Sequence, residues 1–137
     1  MMHTRYSRQI LFAPIGEAGQ KKLMRASVLI VGAGALGSWA IDMLARAGVG
    51  KMKIVDRDYV EESNLQRQQL YSMKDVEQKL PKAVAAKARV LQINPSVEIE
   101  EYVMHADASN LEPLVQSVDL ILDGTDNFDT RFLINDL

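Results

Sequence analysis

The chain reads Val28-Leu29-Ile30-Val31-Gly32-Ala33-Gly34-Ala35-Leu36-Gly37, continues as an amphipathic run to Gly48, and returns as Met52-Lys53-Ile54-Val55-Asp56. An apolar run entering G-x-G-x-x-G, a helix, and a second apolar run ending in an acid make one β-α-β unit. Gly32 permits the tight turn, Gly34 offers no side chain where backbone approaches a phosphate, and Gly37 lets helix lie close to strand. The helix N-terminus faces the anion with unpaired N–H groups and a partial positive charge. Asp56 follows Gly37 by nineteen residues, at the end of the second strand, where its carboxylate can accept from ribose hydroxyls. A glycine turn that only joined strand to helix would leave Asp56 unexplained, so the stretch is read as a nucleotide-binding unit.

Around this unit the 137 residues form an ordinary apolar-cored α/β chain. The expected fold is Rossmann-like, a mostly parallel sheet with helices on both faces, occupying residues 27–137 and preceded by a basic arm and helix over 1–26. No run approaches the ~20 apolar residues of a membrane span and the N-terminus leads into no signal-peptide core, so no membrane partner and a cytoplasmic location are expected. Cysteine is absent, which excludes disulfides, a thiolate nucleophile and Cys-based zinc within these residues. Positions 1–89 hold fifteen Lys/Arg against eight Asp/Glu, and 90–137 hold only Arg131 against ten acids. The basic residues are scattered without interleaved aromatics, so nucleic acid is not expected.

In chain order, a helix is expected from about Glu17 to Met24, with Leu23 and Met24 in the core. Leu36, Ala40, Leu44 and Ala47 recur at helical spacing and are taken as the face on the sheet, with Trp39 and Met43 also packed and Gly48 and Gly50 as the stop. About two dozen residues then separate Asp56 from a helix opening at Pro81. Leu65, Leu70 and Tyr71 mark this stretch as an ordered functional loop at the carboxyl end of the sheet. The helix from Pro81 to about Ile93 is expected to bury Val84, Ala88 and Leu91 and to end at Asn94-Pro95. Val97 to Met104 reads as a strand near a sheet edge, Asp107 to Asn110 as the cap of a short helix over about 111–116, and Asp119 to Asp123 as a buried strand. A last helix opens near Phe128 and the chain reaches Leu137 inside it without a cap, as if cut short.

A β-α-β nucleotide site alone suits a dehydrogenase, since Asp56 can serve the ribose of NAD as well as that of ATP. Arg67 and Lys82 supply cations that a triphosphate needs and a nicotinamide does not. Asp126, after the fourth strand, can hold Mg²⁺ or cap the helix at Phe128, and the two roles can coexist.

Arg5-Tyr6-Ser7-Arg8-Gln9, the glycine loop, Asp56-Arg57-Asp58-Tyr59-Val60, Ser63-Asn64-Leu65-Gln66-Arg67-Gln68, Pro81-Lys82-Ala83 with Asn94-Pro95, and Asp123-Gly124-Thr125-Asp126-Asn127 closely resemble the ThiF/MoeB family of ubiquitin-activating-type adenylyltransferases. The resemblance spans nearly the whole chain in order. It implies ATP-dependent adenylation of the C-terminal carboxylate of a small ubiquitin-like sulfur-carrier protein, in thiamine or molybdopterin biosynthesis, by a homodimer. By the same resemblance Asp56 holds the ribose, Asn64, Arg67 and Lys82 bind phosphates, and Asp126 binds Mg²⁺. Asp58, Gln68 and Asn127 add nucleotide contacts, and Arg8 is donated to the site by the partner subunit. The family often carries Cys where this chain has Gly124, a departure without consequence for adenylation. The family's catalytic cysteine, any zinc site and the carrier-binding surface are expected beyond position 137, so this segment by itself is expected not to complete adenylation. The rival readings are an NAD-dependent oxidoreductase and a non-catalytic dimerisation partner of an activating enzyme.

Overall fold

In the computed structural model, which describes residues 3–137 apart from the side chains of His3 and Phe128, helices α1 (His3–Leu11) and α2 (Gly16–Arg25) precede the β-α-β unit. That unit is β1 (Ser27–Val31), α3 (Ala35–Ala47) and β2 (Lys51–Val55). There follow α4 (Met73–Glu77), α5 (Lys82–Ile93), β3 (Glu98–Tyr102), α6 (Ala108–Val115), β4 (Leu120–Asp123) and α7 (Phe128–Asp136). The four strands form one parallel sheet in the order β3-β2-β1-β4. Val31 at the end of β1 aligns with Val55 on one side and Asp123 on the other. The chain crosses from one side of β1 to the other between β3 and β4, and this topological switch point opens a crevice beyond the strand ends.

Helices cover both faces of the sheet, as expected. On one face α3 and α5 bury Ile41, Ala45, Ala83, Ala86 and Val90 against Val28, Ile30, Met52 and Ile54. On the other, Leu111 and Leu114 of α6 cover Leu29, Val31 and Val55, with Leu133 and Ile134 of α7 at the margin. Lys53 is the polar exception on this second face, 5% exposed. Its ammonium donates to the Leu114 carbonyl at 3.2 Å and to Ser117 Oγ at 2.6 Å, meeting one of the last carbonyls of α6 and a hydroxyl just past its end.

The rotation of α3 differs from expectation. Its buried residues are Gly37, Ser38, Ile41 and Ala45, whereas Leu36, Trp39 and Met43 are exposed and Ala40, Leu44 and Ala47 half-buried. The cause is the contact at Gly37, where a Cβ would lie 1.8 Å from the Gly32 carbonyl oxygen. That approach turns position 37 to the sheet, so positions four and eight further on follow it inward and Leu36 is carried outward. Helix α5 is likewise turned: Ala83, Ala86 and Val90 are buried, Val84 is half-buried, and Ala88 and Leu91 face out. Small side chains let α5 approach α3 and the sheet where larger ones would hold it off.

Smaller differences have local causes. Pro81 is the N-cap of α5 rather than its first residue. Helix α6 begins at Ala108 because Asp107 itself is the cap, accepting from the Asn110 amide at 2.8 Å. Met24 is exposed while Leu23 packs on the core. Strand β4 is paired only with β1 among the described residues and leaves Leu120 exposed, so it is an edge strand here rather than a buried one. Val97 to Met104 does supply the expected edge strand β3, over Glu98–Tyr102. Among the described residues no helix is long and apolar enough to cross a membrane.

The revised rotation of α3 is checked by unfolding in denaturant. Ile41→Ala is expected to lower stability by about 2–5 kcal/mol, and Leu36→Ala to change it by less than about 0.5 kcal/mol; equal losses would restore the first reading.

Candidate functional site

At the switch point lies a cleft of about 730 Å³. Its floor is the glycine turn, held by close backbone contacts. Gly32 has φ +95°, which a residue with a Cβ rarely adopts. Its carbonyl is wedged between two further glycines, since a Cβ on Gly37 or on Gly124 would lie 1.8 or 2.4 Å from the Gly32 oxygen. Gly124 is therefore more than a neutral departure from the family pattern: in this chain its missing side chain lets the end of β4 close on the turn. Gly34 is different, because a Cβ there meets only Gln68 Nε2 at 3.7 Å and would project into the cleft it lines.

The central peptide units of the turn are gripped from both sides. Asp56 Oδ2 accepts the Ala33 amide at 2.8 Å while Oδ1 accepts the Asp58 amide at 2.7 Å. The Tyr71 hydroxyl donates to the Ala33 carbonyl at 2.6 Å. Burial above all, and then the carboxylates of Asp56 and Asp75, push the Tyr71 pKa far up, so this hydroxyl stays a donor at any working pH. Asp56 lines the cleft as expected, and its two oxygens also organise the loop around it.

The loop after Asp56 is ordered, as expected. Its ends are joined where Lys82 N donates to the Asp58 carbonyl at 2.9 Å and Val60 N to that of Leu80 at 2.9 Å. Val60, Leu70 and Tyr71 are buried in the larger core. This places Asn64, Arg67, Gln68 and Lys82 on one wall of the cleft with Asp58 at its rim. Asn64 is 9% exposed and its Oδ1 accepts the Glu61 amide at 3.1 Å. Gln68 is 3% exposed and its Oε1 is buried without a hydrogen-bond partner among the described residues. Arg67 is exposed, steadied by one bond from Nη1 to the Ser63 carbonyl at 3.2 Å. Lys82 is 7% exposed, yet its ammonium is in none of the ion pairs formed by the described residues. Its ammonium is not among the polar atoms buried without a partner, so a buried stem carries the charge to the open cleft, where an anion can meet it.

Across the cleft, Gly124-Thr125-Asp126-Asn127 forms the opposite lip. Here the capping residue is Asn127: its Oδ1 accepts the amides of Asp129 at 2.9 Å and Thr130 at 3.3 Å. Asp126 does not cap α7 and stands exposed at the lip. Arg131 and Asp123, to which no site role is assigned above, fix this lip. Asp123 Oδ1 accepts from the Thr125 amide at 2.9 Å and hydroxyl at 2.6 Å, and Arg131 Nε donates to the Thr125 carbonyl at 3.2 Å. A lone cation in an acidic segment, one turn inside a helix that starts beside the site, was the available signal for Arg131.

Arg8 is not brought into this cleft. It is exposed on α1, and α1 is anchored at the C-terminal ends of α3 and α5. Arg5 Nη1 donates to the Ile93 carbonyl at 2.7 Å, Asn94 Nδ2 to the Tyr6 hydroxyl at 2.8 Å, and Gln9 Nε2 to the Ala47 carbonyl at 3.0 Å. Those helix ends lie at the edge of the sheet opposite the cleft. Among the described residues no three His, Cys, Asp or Glu side chains cluster as a metal site.

The sequence pattern described as the ThiF family matches residues 6–137. The chain is 55% identical over 98% of its length to a protein of Bacillus subtilis named sulfur carrier protein ThiS adenylyltransferase, covering 40% of that protein. It is 44% identical over 96% of its length to the sulfur carrier protein adenylyltransferase of Thermus thermophilus, covering 48% of it. Its fold is similar to the crystal structure of E. coli MccB with ATP, at TM-score 0.83 and 30% identity over 96% of this chain and 41% of that one. The chain thus spans less than half the length of these relatives.

The division of labour at the lip is checked by substitution. Asn127→Ala is expected to cost about 1 kcal/mol of unfolding free energy, and Asp126→Ala less than about 0.5 kcal/mol. The reverse order would return the cap to Asp126.

Proposed function

The chain belongs to the ThiF family, and from that premise we propose that it forms the ATP-binding part of an adenylyltransferase acting on the C-terminal carboxylate of a small sulfur-carrier protein. The observation that carries this reading is Lys82, buried in the cleft wall without an acidic partner among the described residues. It lines the same cleft as Asp126, Arg67 and the first residues of α3, Ala35 and Leu36. A cation on a buried stem with no acid beside it offers a site for an anion, and a triphosphate supplies one.

In this reading Asp56 takes the ribose hydroxyls while holding the glycine loop, and Asn64 and Gln68 contact the nucleotide. The N–H groups of the first turn of α3, which have no intrahelical partner, face the phosphates. An oxygen of the carrier's terminal carboxylate attacks the α-phosphorus, a phosphorus–oxygen bond to the acyl carbon's oxygen forms, and the bond to the β-phosphate breaks with release of pyrophosphate. Negative charge grows on the departing group, and Lys82 and Arg67 line the cleft to meet it. Asp126 fits a magnesium ion of the kind held by one or two carboxylates together with substrate phosphates, since its carboxylate is not engaged in capping; when bound, that ion supplies charge neutralisation. Asp58 and Asn127 sit at the two rims, within the same contact set. The curated relatives named above are called adenylyltransferases of sulfur carrier proteins, which supports the substrate class; the pathway served, thiamine or molybdopterin, follows from the particular carrier.

The assembly proposed is a homodimer in which Arg8 serves the partner's cleft. What supports this is the anchoring of α1 at the far edge of its own sheet, from which Arg8 does not reach its own cleft. A two-fold axis makes the exchange reciprocal.

Two measurements test the reading. In the full-length enzyme, Lys82→Ala is expected to reduce carrier-dependent ATP–pyrophosphate exchange by about 100-fold or more, the scale of one preorganised donor. ATP with magnesium, and not NAD, is expected to raise the melting midpoint, by the equivalent of about 2.7 kcal/mol at a hundredfold excess over Kd. Unchanged exchange, or stabilisation by NAD alone, contradicts the assignment. For the dimer, mixing Arg8→Ala chains with Lys82→Ala chains is expected to restore part of the activity, because one cleft then pairs an intact pocket with an intact arm. No recovery in demonstrated heterodimers places Arg8 outside its partner's site.

A further inference from the structure

We propose that Tyr71 is a positioning residue that aims the Gly34 amide into the cleft. The hydroxyl of Tyr71 donates to the Ala33 carbonyl at 2.6 Å. Its ring is 6% exposed and packed in the larger core, and it is not part of the cleft wall. The carbonyl it holds belongs to the same planar trans peptide as the Gly34 N–H, so the two groups point in opposite directions. Fixing that oxygen toward the core directs the Gly34 N–H away from it, toward the cleft that Gly34 lines. The preceding peptide is held on its other polar group, since the Ala33 N–H is accepted by Asp56 Oδ2 at 2.8 Å. Two successive peptide planes are thereby set, one by an acid that also faces the ligand and one by a tyrosine that does not touch it.

Tyr71 also closes the loop that carries Arg67 and Gln68, its own amide donating to the Gln68 carbonyl at 3.3 Å. Position 71 therefore touches both the glycine turn, through its side chain, and the loop of the cationic wall, through its backbone. Without such a brace the Ala33–Gly34 peptide turns more readily than most, because Gly34 has no Cβ to restrict it. The preorganised donor is worth most where its direction is already set before the phosphate arrives.

The inference rests on the reading of the cleft as an ATP site, and the test separates the two. Tyr71→Phe keeps the ring and removes the oxygen. In the full-length enzyme it is expected to raise the KM for ATP about tenfold, the factor that a hydrogen bond of about 1.4 kcal/mol supplies, with kcat within about twofold of wild type. In the same variant, the amide order parameter of Gly34 without nucleotide is expected to fall from the rigid-backbone range, about 0.85, to below about 0.6. A variant that does not fold, or that folds with a lower melting midpoint but unchanged KM and an unchanged Gly34 order parameter, overturns the positioning role and leaves a structural one. A wild-type enzyme that neither binds nor turns over ATP sinks the adenylation reading instead. The brace is then judged by the order parameter alone, a fall upholding it and an equal value overturning it.

Discussion

The carbonyl of Gly32 is enclosed on two sides by backbone, and the arrangement of the cleft follows from that contact. Gly37 and Gly124 come so near that a Cβ on either would overlap the Gly32 oxygen. One contact fixes the rotation and height of α3 on the sheet, and the other brings the end of β4 against the turn at the end of β1. The switch point between β1 and β4 is therefore narrow at its floor and open above, and the first turn of α3 points along it. Every group on the cleft walls takes its position from elements seated by this junction.

Above the floor the walls carry charges of both signs. Arg57, Arg67, Lys82 and Arg131 line the cleft together with Asp56, Asp58, Glu61 and Asp126. Several neutralise one another or hold backbone: Asp56 is bonded to two amides, Arg131 lies 3.6 Å from Asp123, and Arg57 lies 3.9 Å from Asp58. Lys82, Arg67 and Asp126 are left outside the ion pairs of the described residues. Together with Glu61, whose side chain caps the turn at Asn64, these groups suit the ligand proposed above, a nucleoside triphosphate accompanied by a hard cation.

Much of this was legible in the sequence, because the deciding signals are local. The G-x-G-x-x-G between an apolar strand and an amphipathic helix, the acid after β2 and the long apolar-anchored loop each carry their own structural instruction; the sheet and its covering helices came out accordingly, and Asp56, Asn64, Arg67, Gln68, Lys82 and Asp126 share one cleft whereas Arg8 lies outside it. The faces of α3 and α5 were not legible. Hydrophobicity favoured Leu36 and Leu91, whereas packing selected the smallest side chains, Gly37 on α3 and Ala83 and Ala86 on α5, since distance of approach outweighs side-chain size at a tight interface. Asp126 and Asn127 are equally good capping types, so only geometry separates the cap from the exposed carboxylate. The partners of Tyr71 and Arg131, the carbonyls of Ala33 and Thr125, are backbone groups and leave no trace in residue identity.

The account stands on one claim, that the space above Gly34 is where ATP lies. Calorimetric titration of ATP with magnesium into Gly34→Val, alongside the wild-type chain, tests it directly. A Cβ at Gly34 meets no backbone within 4 Å, so the variant is expected to keep the wild-type melting midpoint while the heat of ATP binding disappears. Wild-type ATP affinity in the folded variant would place the nucleotide elsewhere and contradict the account.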